Sequence, residues 1–388
     1  MNEILIKHSV ILIFLFFLFS CASVAPPPQP EPVPITTPAP EEPPSYKLSF
    51  AAAGDNLIHI TMLNSSLDNG AYNFYPFYSE VKSIISQADI ALINQETVMG
   101  GGGFGYSGYP RFNTPSSMAA TLVDLGFTVI SHANNHVLDM GEAGILATLD
   151  IWDSFPGISC LGIRRTEDKQ PAIIVRNNIS LGFLAYTFST NGIPLPKNKP
   201  WMVSMTNRET MAAEIDALRP QCDFLIVSVH WGDEYAQQPN QFQLSLANFF
   251  AEHDVDLIIG HHPHVLQRAE YIKRPDGKQT LCFFSLGNFV SNQDKKEMLL
   301  GALACVMLIK KDDKVFINDA GLIPVLTHIE NGYVKTKVIP LFEYSDDLMK
   351  THRLYSKDRD WTMNFFYSYL TKMNTKLYMY NPFAKGAK

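Results

Sequence analysis

The residue types best suited to chemistry are concentrated at Gly260-His261-His262-Pro263-His264, where three imidazoles fall within four positions. Pro263 fixes its own φ and biases His262 toward an extended backbone. In an extended segment His262 and His264 point to one side, and His261, one residue out of phase, points to the other. Two neutral imidazoles on one side can share a metal ion; the other reading is an inert, hydrogen-bonded histidine turn. Asp55, Glu96, Asn135 and His230 decide between the readings, because each also stands just beyond an apolar run. Taken singly, they read as turn formers, a helix-start charge or a core histidine. Taken together with His262 and His264, they are six oxygen or nitrogen donors that could hold two divalent cations. One carboxylate would bridge the pair. Two such metals activate water and clamp a developing charge.

Delivering those donors requires repeated units of strand, corner and helix. Leu48 to Ala53, Ile90 to Ile93, Thr128 to Ser131, Phe224 to Val229, Leu257 to Ile259 and Leu281 to Phe284 read as short strands. Helical spacing recurs over Phe77 to Ala88, Ser116 to Leu125, Gly141 to Trp152 and Asn240 to His253. Thr206-Asn207-Arg208-Glu209 reads as a capping box opening a further helix. Asn177-Asn178 between two apolar runs is a hairpin signal, and Leu300 to Leu341 suggests added antiparallel strands. The glycines from Gly100 to Gly103 lead into an aromatic-bearing loop at Tyr106 to Pro110. The alternation argues an α/β fold, in which ligands bind at the carboxyl ends of the strands.

Several ordered motifs carry a family resemblance. They are Gly54-Asp55, Asn94-x-Glu96, Asn134-Asn135-His136-x-x-Asp139-x-Gly141, His230-Trp231-Gly232-x-Glu234-Tyr235, Gly260-x-His262-Pro263-His264-Val265-x-Gln267 and Ser285-Leu286-Gly287-Asn288-Phe289. Over Lys47 to Leu341 the chain resembles the CapA family of capsule synthesis, of the poly-γ-glutamate type, which is related to calcineurin-like metallophosphoesterases. The resemblance implies a four-layer α/β/β/α sandwich, metallophosphatase-like, with a metal site at the strand ends. It implies Asp55, Glu96, Asn135, His230, His262 and His264 as ligands of two divalent metal ions, Mn, Fe or Zn. By the same matching, His136 is the histidine that protonates the leaving group; Asp139, three residues on, reads either as the carboxylate that orients it or as a cap of the next helix. Glu234 is expected to contact substrate, and Asn288 reads as either a substrate contact or a strand-end turn residue. Two departures stand out. The Asp-x-His opening of phosphoesterases reads Asp55-Asn56-Leu57, so one histidine ligand is absent, with His59 either its substitute if the loop folds back or, the favoured reading, a loop histidine, and Glu96 replaces an Asp. Phosphatase activity therefore does not follow from the fold.

At 388 residues with a net charge of −7 the chain has no basic footprint for nucleic acid. Val10 to Phe19 is apolar but far short of the ~20 residues of a membrane span. Together with Leu18-Phe19-Ser20-Cys21 it reads as a lipoprotein signal over residues 1–21, with Cys21 lipidated. Ordinary signal cleavage and an uncleaved anchor are the alternatives. Residues 22–46 form a Pro-rich linker, with ten prolines between Pro26 and Pro44, a composition that favours stiff polyproline II. Residues 47–345 make the CapA-like domain, and 346–388 a C-terminal helical extension packing outside it. Cys160, Cys222, Cys282 and Cys305 have no CxxC spacing and read as free thiols. The resulting expectation is an extracytoplasmic, membrane-anchored lipoprotein of the bacterial envelope. It would make, process or anchor an anionic surface polymer as a metal-dependent hydrolase or transferase, working with envelope biosynthesis proteins. A non-catalytic polymer-binding or synthase-accessory lipoprotein with structural metal is the second reading.

Overall fold

Alternation along the strands sets the layering. In Tyr46–Asn56, Leu48, Phe50 and Ala52 face one way, and Ala51 and Ala53 the other, each side into its own apolar cluster. In Phe224–His230, Phe224 and Ile226 turn toward that first cluster, while Leu225, Val227 and Val229 turn away into a third. A strand with both faces apolar must be covered twice. In a computed structural model, residues 45–168, 171–333, 335–374 and 383 are described. The signal segment, Cys21 and nearly all of the Pro-rich linker lie outside the described residues.

Two sheets result. The first runs, edge to edge, through Lys337–Pro340, Lys314–His328, Leu300–Lys311, Tyr46–Asn56, Ile90–Gln95, Val129–Ser131 and Ser159–Leu161, and Asn288–Val290 pairs with the end of Tyr46–Asn56. The second runs through Ala269–Lys273, Gln279–Phe283, Leu257–His261, Phe224–His230, Ile179–Thr187 and Ala172–Arg176. The strands that carry the candidate donors are parallel to their donor-bearing neighbours within each sheet. The sheets pack face to face over one core, where Phe50 and Phe183 approach at 6.2 Å between ring centroids. Helices such as Ser117–Leu125 and Gly141–Asp153 cover the first sheet, and Arg208–Leu218 and Gln241–Glu252 the second. The order is helix, sheet, sheet, helix, as expected.

Several local expectations need correction. The helix predicted over Phe77 to Ala88 is two short turns, Tyr75–Tyr78 and Lys82–Ile85. Asn207, not Thr206, caps the helix Arg208–Leu218, its side chain accepting from Thr210 N, because an Asx side chain competes well for the exposed amides. The hairpin at Asn177-Asn178 has positive φ at both residues (50° and 59°), the geometry of a tight primed turn. The C-terminal extension does not pack outside. Met349, Leu354, Trp361, Phe366 and Leu370 join the inter-sheet core, and the Tyr369 hydroxyl donates to Leu266 O at 3.2 Å. The tail thus backs the segment that follows the histidine turn. Cys160, Cys222, Cys282 and Cys305 are free. Among the described residues no helix is long and apolar enough to cross a membrane.

Candidate metal centre

Strand phase aims most of the donors. Phe224, Ile226, Ser228 and His230 share the inward face of their strand, and Leu257, Ile259 and His261 share that of the next. His230 and His261 are cross-strand partners. In the first sheet Ile90 and Leu92 face inward, so the same phase carries Asn94 and Glu96 to the end of the inter-sheet space. Asp55 follows Gly54 at the end of the central strand, its backbone N donating to Gly287 O at 2.9 Å.

The histidine turn differs from the extended segment expected. The strand continues through His261, so His261 lies inside the site and not on the opposite face. Its Nδ1 stands 3.4 Å from Asp55 Oδ1, and neither ring nitrogen makes a hydrogen bond. His262 and His264 then adopt φ of 96° and 58°, a left-handed backbone that costs free energy in non-glycine residues and swings both rings back over the strand ends. Tyr235, itself at φ 66°, pins the turn by donating its N–H to Pro263 O at 2.7 Å. Gly260 is needed for close approach and not for turning. A Cβ there would meet Phe284 O at 2.1 Å and Trp231 Nε1 at 2.7 Å.

These elements bring together Asp55, Glu96, Asn135, His230, His262 and His264, all buried. Of three donor clusters two share Glu96: Glu96, His230 and His262 form one, Asp55, Glu96 and His264 another, and Glu234, His262 and His264 make the third. Glu96 Oε1 stands 3.7 Å from His230 Nε2 and 3.6 Å from His264 Nε2, too far for hydrogen bonds. Two donors that share a tetrahedral ion at ~2.1 Å each stand about 3.4 Å apart, so the spacing suits ligation. Both Glu96 oxygens lack any hydrogen-bond partner. Such a buried, unpartnered carboxylate is costly without a cation.

Electrostatics agree. Burial pushes the Glu96 carboxyl well above its usual range, and the charges of Asp55, Glu234 and Asp139 push it further. Burial acts on Asp55 in the same direction, but His261 and His264 outweigh it and hold that carboxylate well below its usual range. Burial holds His230 well below its ordinary value and His262 at about 3, so both are neutral, the ligating form. For His264 burial is outweighed by Glu96 and Asp55, which raise it to about 9.

Around the clusters, other side chains fix the donors. Asn94 Nδ2 donates to Asp55 Oδ1 at 2.7 Å. Asn135 Oδ1 lies 3.0 Å from His230 Nε2, and its Nδ2 donates to Asn191 Oδ1 at 3.2 Å. Asn191 therefore turns the oxygen of Asn135 toward the centre. His136 joins none of the clusters among the described residues. Its Nδ1 donates to Asp139 Oδ2 at 2.8 Å, and Phe112 N donates to the same oxygen at 2.7 Å. That leaves His136 Nε2 for the cleft. Glu234 is exposed and offers an oxygen near His262 and His264, on the open side.

Asn288 does not face a substrate. It is fully buried, its Oδ1 sits 3.0 Å from His264 Nδ1, and its Nδ2 donates to His264 O, Gln293 Oε1 and Met298 O. With its donors spent on protein groups it holds the histidine turn. His59 is a loop histidine as expected, accepting from Asn292 N at 3.2 Å and belonging to none of the clusters. Sequence reasoning passed over His261 and Asn94, which strand phase could have found, and Asn191, for which no signal exists. Asn191 comes from a loop 55 residues past its contact His136.

Residues 49–293 match the family model described as bacterial capsule synthesis protein PGA_cap. The chain belongs to this family. Relatives within reach include the PGA biosynthesis protein CapA of Bacillus subtilis, 32% identical over 186 residues that make up 47% of each chain. The capsule biosynthesis protein CapA of Bacillus anthracis is 32% identical over 177 residues, 44% of this chain and 41% of that one. The chain thus spans about half the length of the curated relatives it matches. Among solved structures, the calcineurin-like phosphoesterase YfkN of Bacillus subtilis superposes with a TM-score of 0.44 at 14% identity, covering 72% of this chain and 91% of that one. The PGA_cap match contains every candidate donor, from Asp55 to His264.

Proposed function

We propose that this PGA_cap protein is a metal-dependent hydrolase or transferase acting on an anionic cell-surface polymer of the poly-γ-glutamate type. The observation that carries the reading is Glu96: a buried carboxylate with no partner, shared by two donor clusters. Asp55, Glu96 and His264 would hold one divalent cation. Glu96, Asn135, His230 and His262 would hold a second, with Mn, Fe or Zn suited to that nitrogen and oxygen donor set. When bound, such cations supply an activated water and a clamp for developing negative charge. The remaining work falls to side chains. His136 presents Nε2 to the cleft and carries a proton to the leaving oxygen or nitrogen. Asp139, fixed by Phe112 N, keeps the ring in that orientation. Asn94 and Asn288 hold Asp55 and His264 in place.

Membrane tethering through a lipidated Cys21 and a polyproline spacer completes the reading, on support from the sequence alone. It would put the site outside the cytoplasm, where the polymer and its synthesis partners are. The experiment is turnover of γ-glutamyl peptides and generic phosphodiesters by the full chain, before and after chelation and re-addition of Mn, Fe or Zn. Metal-restored turnover of either class is expected. A protein that holds stoichiometric metal yet turns over neither would be a binding factor.

A further inference from the structure

Beside the centre lies a cavity of about 380 Å³ whose walls include Tyr109, Arg111, His136, Asn191 and Glu234. Arg111 is the one permanent cation among the residues lining it. Among the described residues its guanidinium has no hydrogen bond or ion pair; only its carbonyl is bonded, accepting from Ser107 Oγ at 2.7 Å.

The loop that carries Arg111 is fastened at both sides. Ser107 and Asn113 exchange backbone hydrogen bonds at 3.1 and 3.0 Å. Asn113 accepts from Gly100 N and donates to Gly101 O and Gly105 O. Phe112, next to Arg111, is buried, donates its N–H to Asp139 and sets its ring edge-on to His136 at 4.7 Å. The same carboxylate therefore fixes the orientation of His136 and the position of the arginine-bearing turn.

We propose that Arg111 is a substrate-binding residue that takes a free carboxylate next to the reacting bond. This rests on the reading of the neighbouring centre as the reacting site. A guanidinium matches a planar carboxylate with two parallel N–H donors. Glu234 and Asp139 also line the cavity, so an anion beside Arg111 meets a repulsion that is larger for a phosphate dianion than for a singly charged carboxylate. In a substrate of the proposed poly-γ-glutamate type, the group Arg111 takes is the carboxylate left free beside the linkage.

Calorimetry on the full chain tests this with penta-γ-glutamate and its α-carboxamide analogue, with metal loaded and with metal chelated. The acidic peptide should bind wild type roughly tenfold or more tightly than the amide. Arg111→Ala should erase the difference, and Arg111→Lys should keep part of it. Because the side chain is exposed, the thermal midpoint of Arg111→Ala should match wild type, so lost binding is not lost folding. Unchanged discrimination in Arg111→Ala overturns the inference and leaves the proposed function standing. Failure of wild type to prefer the acidic peptide also overturns it, and the metal content of the same samples shows separately whether the reading of the centre has failed.

Discussion

Glu96→Gln should leave the protein folded and nearly empty of metal. Glu96 is shared by two of the donor clusters, so a neutral amide in its place weakens both of those sites at once. Loss of even an outer partner of a metal ligand typically costs ~10–100-fold in affinity, and loss of a shared ligand should cost at least that. Turnover should fall below roughly a hundredth of wild type. The metal-free variant, by contrast, should melt no lower than metal-free wild type. Burial already opposes ionisation of this carboxyl, and its oxygens make no hydrogen bond that glutamine would lose. Elemental analysis beside thermal melting reads both effects. A variant that unfolds would make Glu96 structural, and one that keeps full metal would remove it from the centre.

His136→Ala should show the opposite pattern, with metal retained and rate lost. The ring stands outside the donor clusters but bonds Asp139 and faces the cleft, so its removal should cost roughly 10²–10⁴ in rate, the scale of a positioned acid. The loss should depend on the leaving group. Substrates that release a stabilised anion such as p-nitrophenolate need no proton and should lose little, whereas alkoxide or amine leaving groups should lose most. Asp139→Asn should share the direction with a smaller loss, because the ring remains but its Nδ1 partner no longer carries charge. A uniform loss across leaving groups would make His136 a binding residue, and loss of metal would make it a ligand.

Period-two alternation made much of this legible in the sequence. The same apolar runs that predicted strands placed Asp55, Glu96, His230 and the histidine turn at carboxyl strand ends, which the structure divides between two sheets; alternation of strand and helix gave the α/β class, and the four layers were implied by the family resemblance. What failed is local. The proline rule predicted an extended His262, but its φ is 96°, because the turn must carry two imidazoles back over the strand ends under the Tyr235–Pro263 hydrogen bond. Treating the strand as ended at Ile259 hid His261, whereas two further paired residues place it beside Asp55. The C-terminal segment, with its charges, aromatics and helical spacing, reads as peripheral, yet Trp361 and Phe366 close the central core. Asn191 and Arg111 reach the site through loop tertiary structure, which no periodicity encodes.

Metal binding at a dinuclear centre is tested by elemental analysis of the purified full chain, reconstituted separately with Mn, Fe and Zn. A dinuclear centre should retain close to two divalent ions per chain for at least one of these metals, and fewer in His230→Ala and in His264→Ala. Metal uptake should release protons as His264, held at about 9 without metal, gives up its own. A folded protein that retains no stoichiometric metal under any of the three reconstitutions would contradict a dinuclear centre.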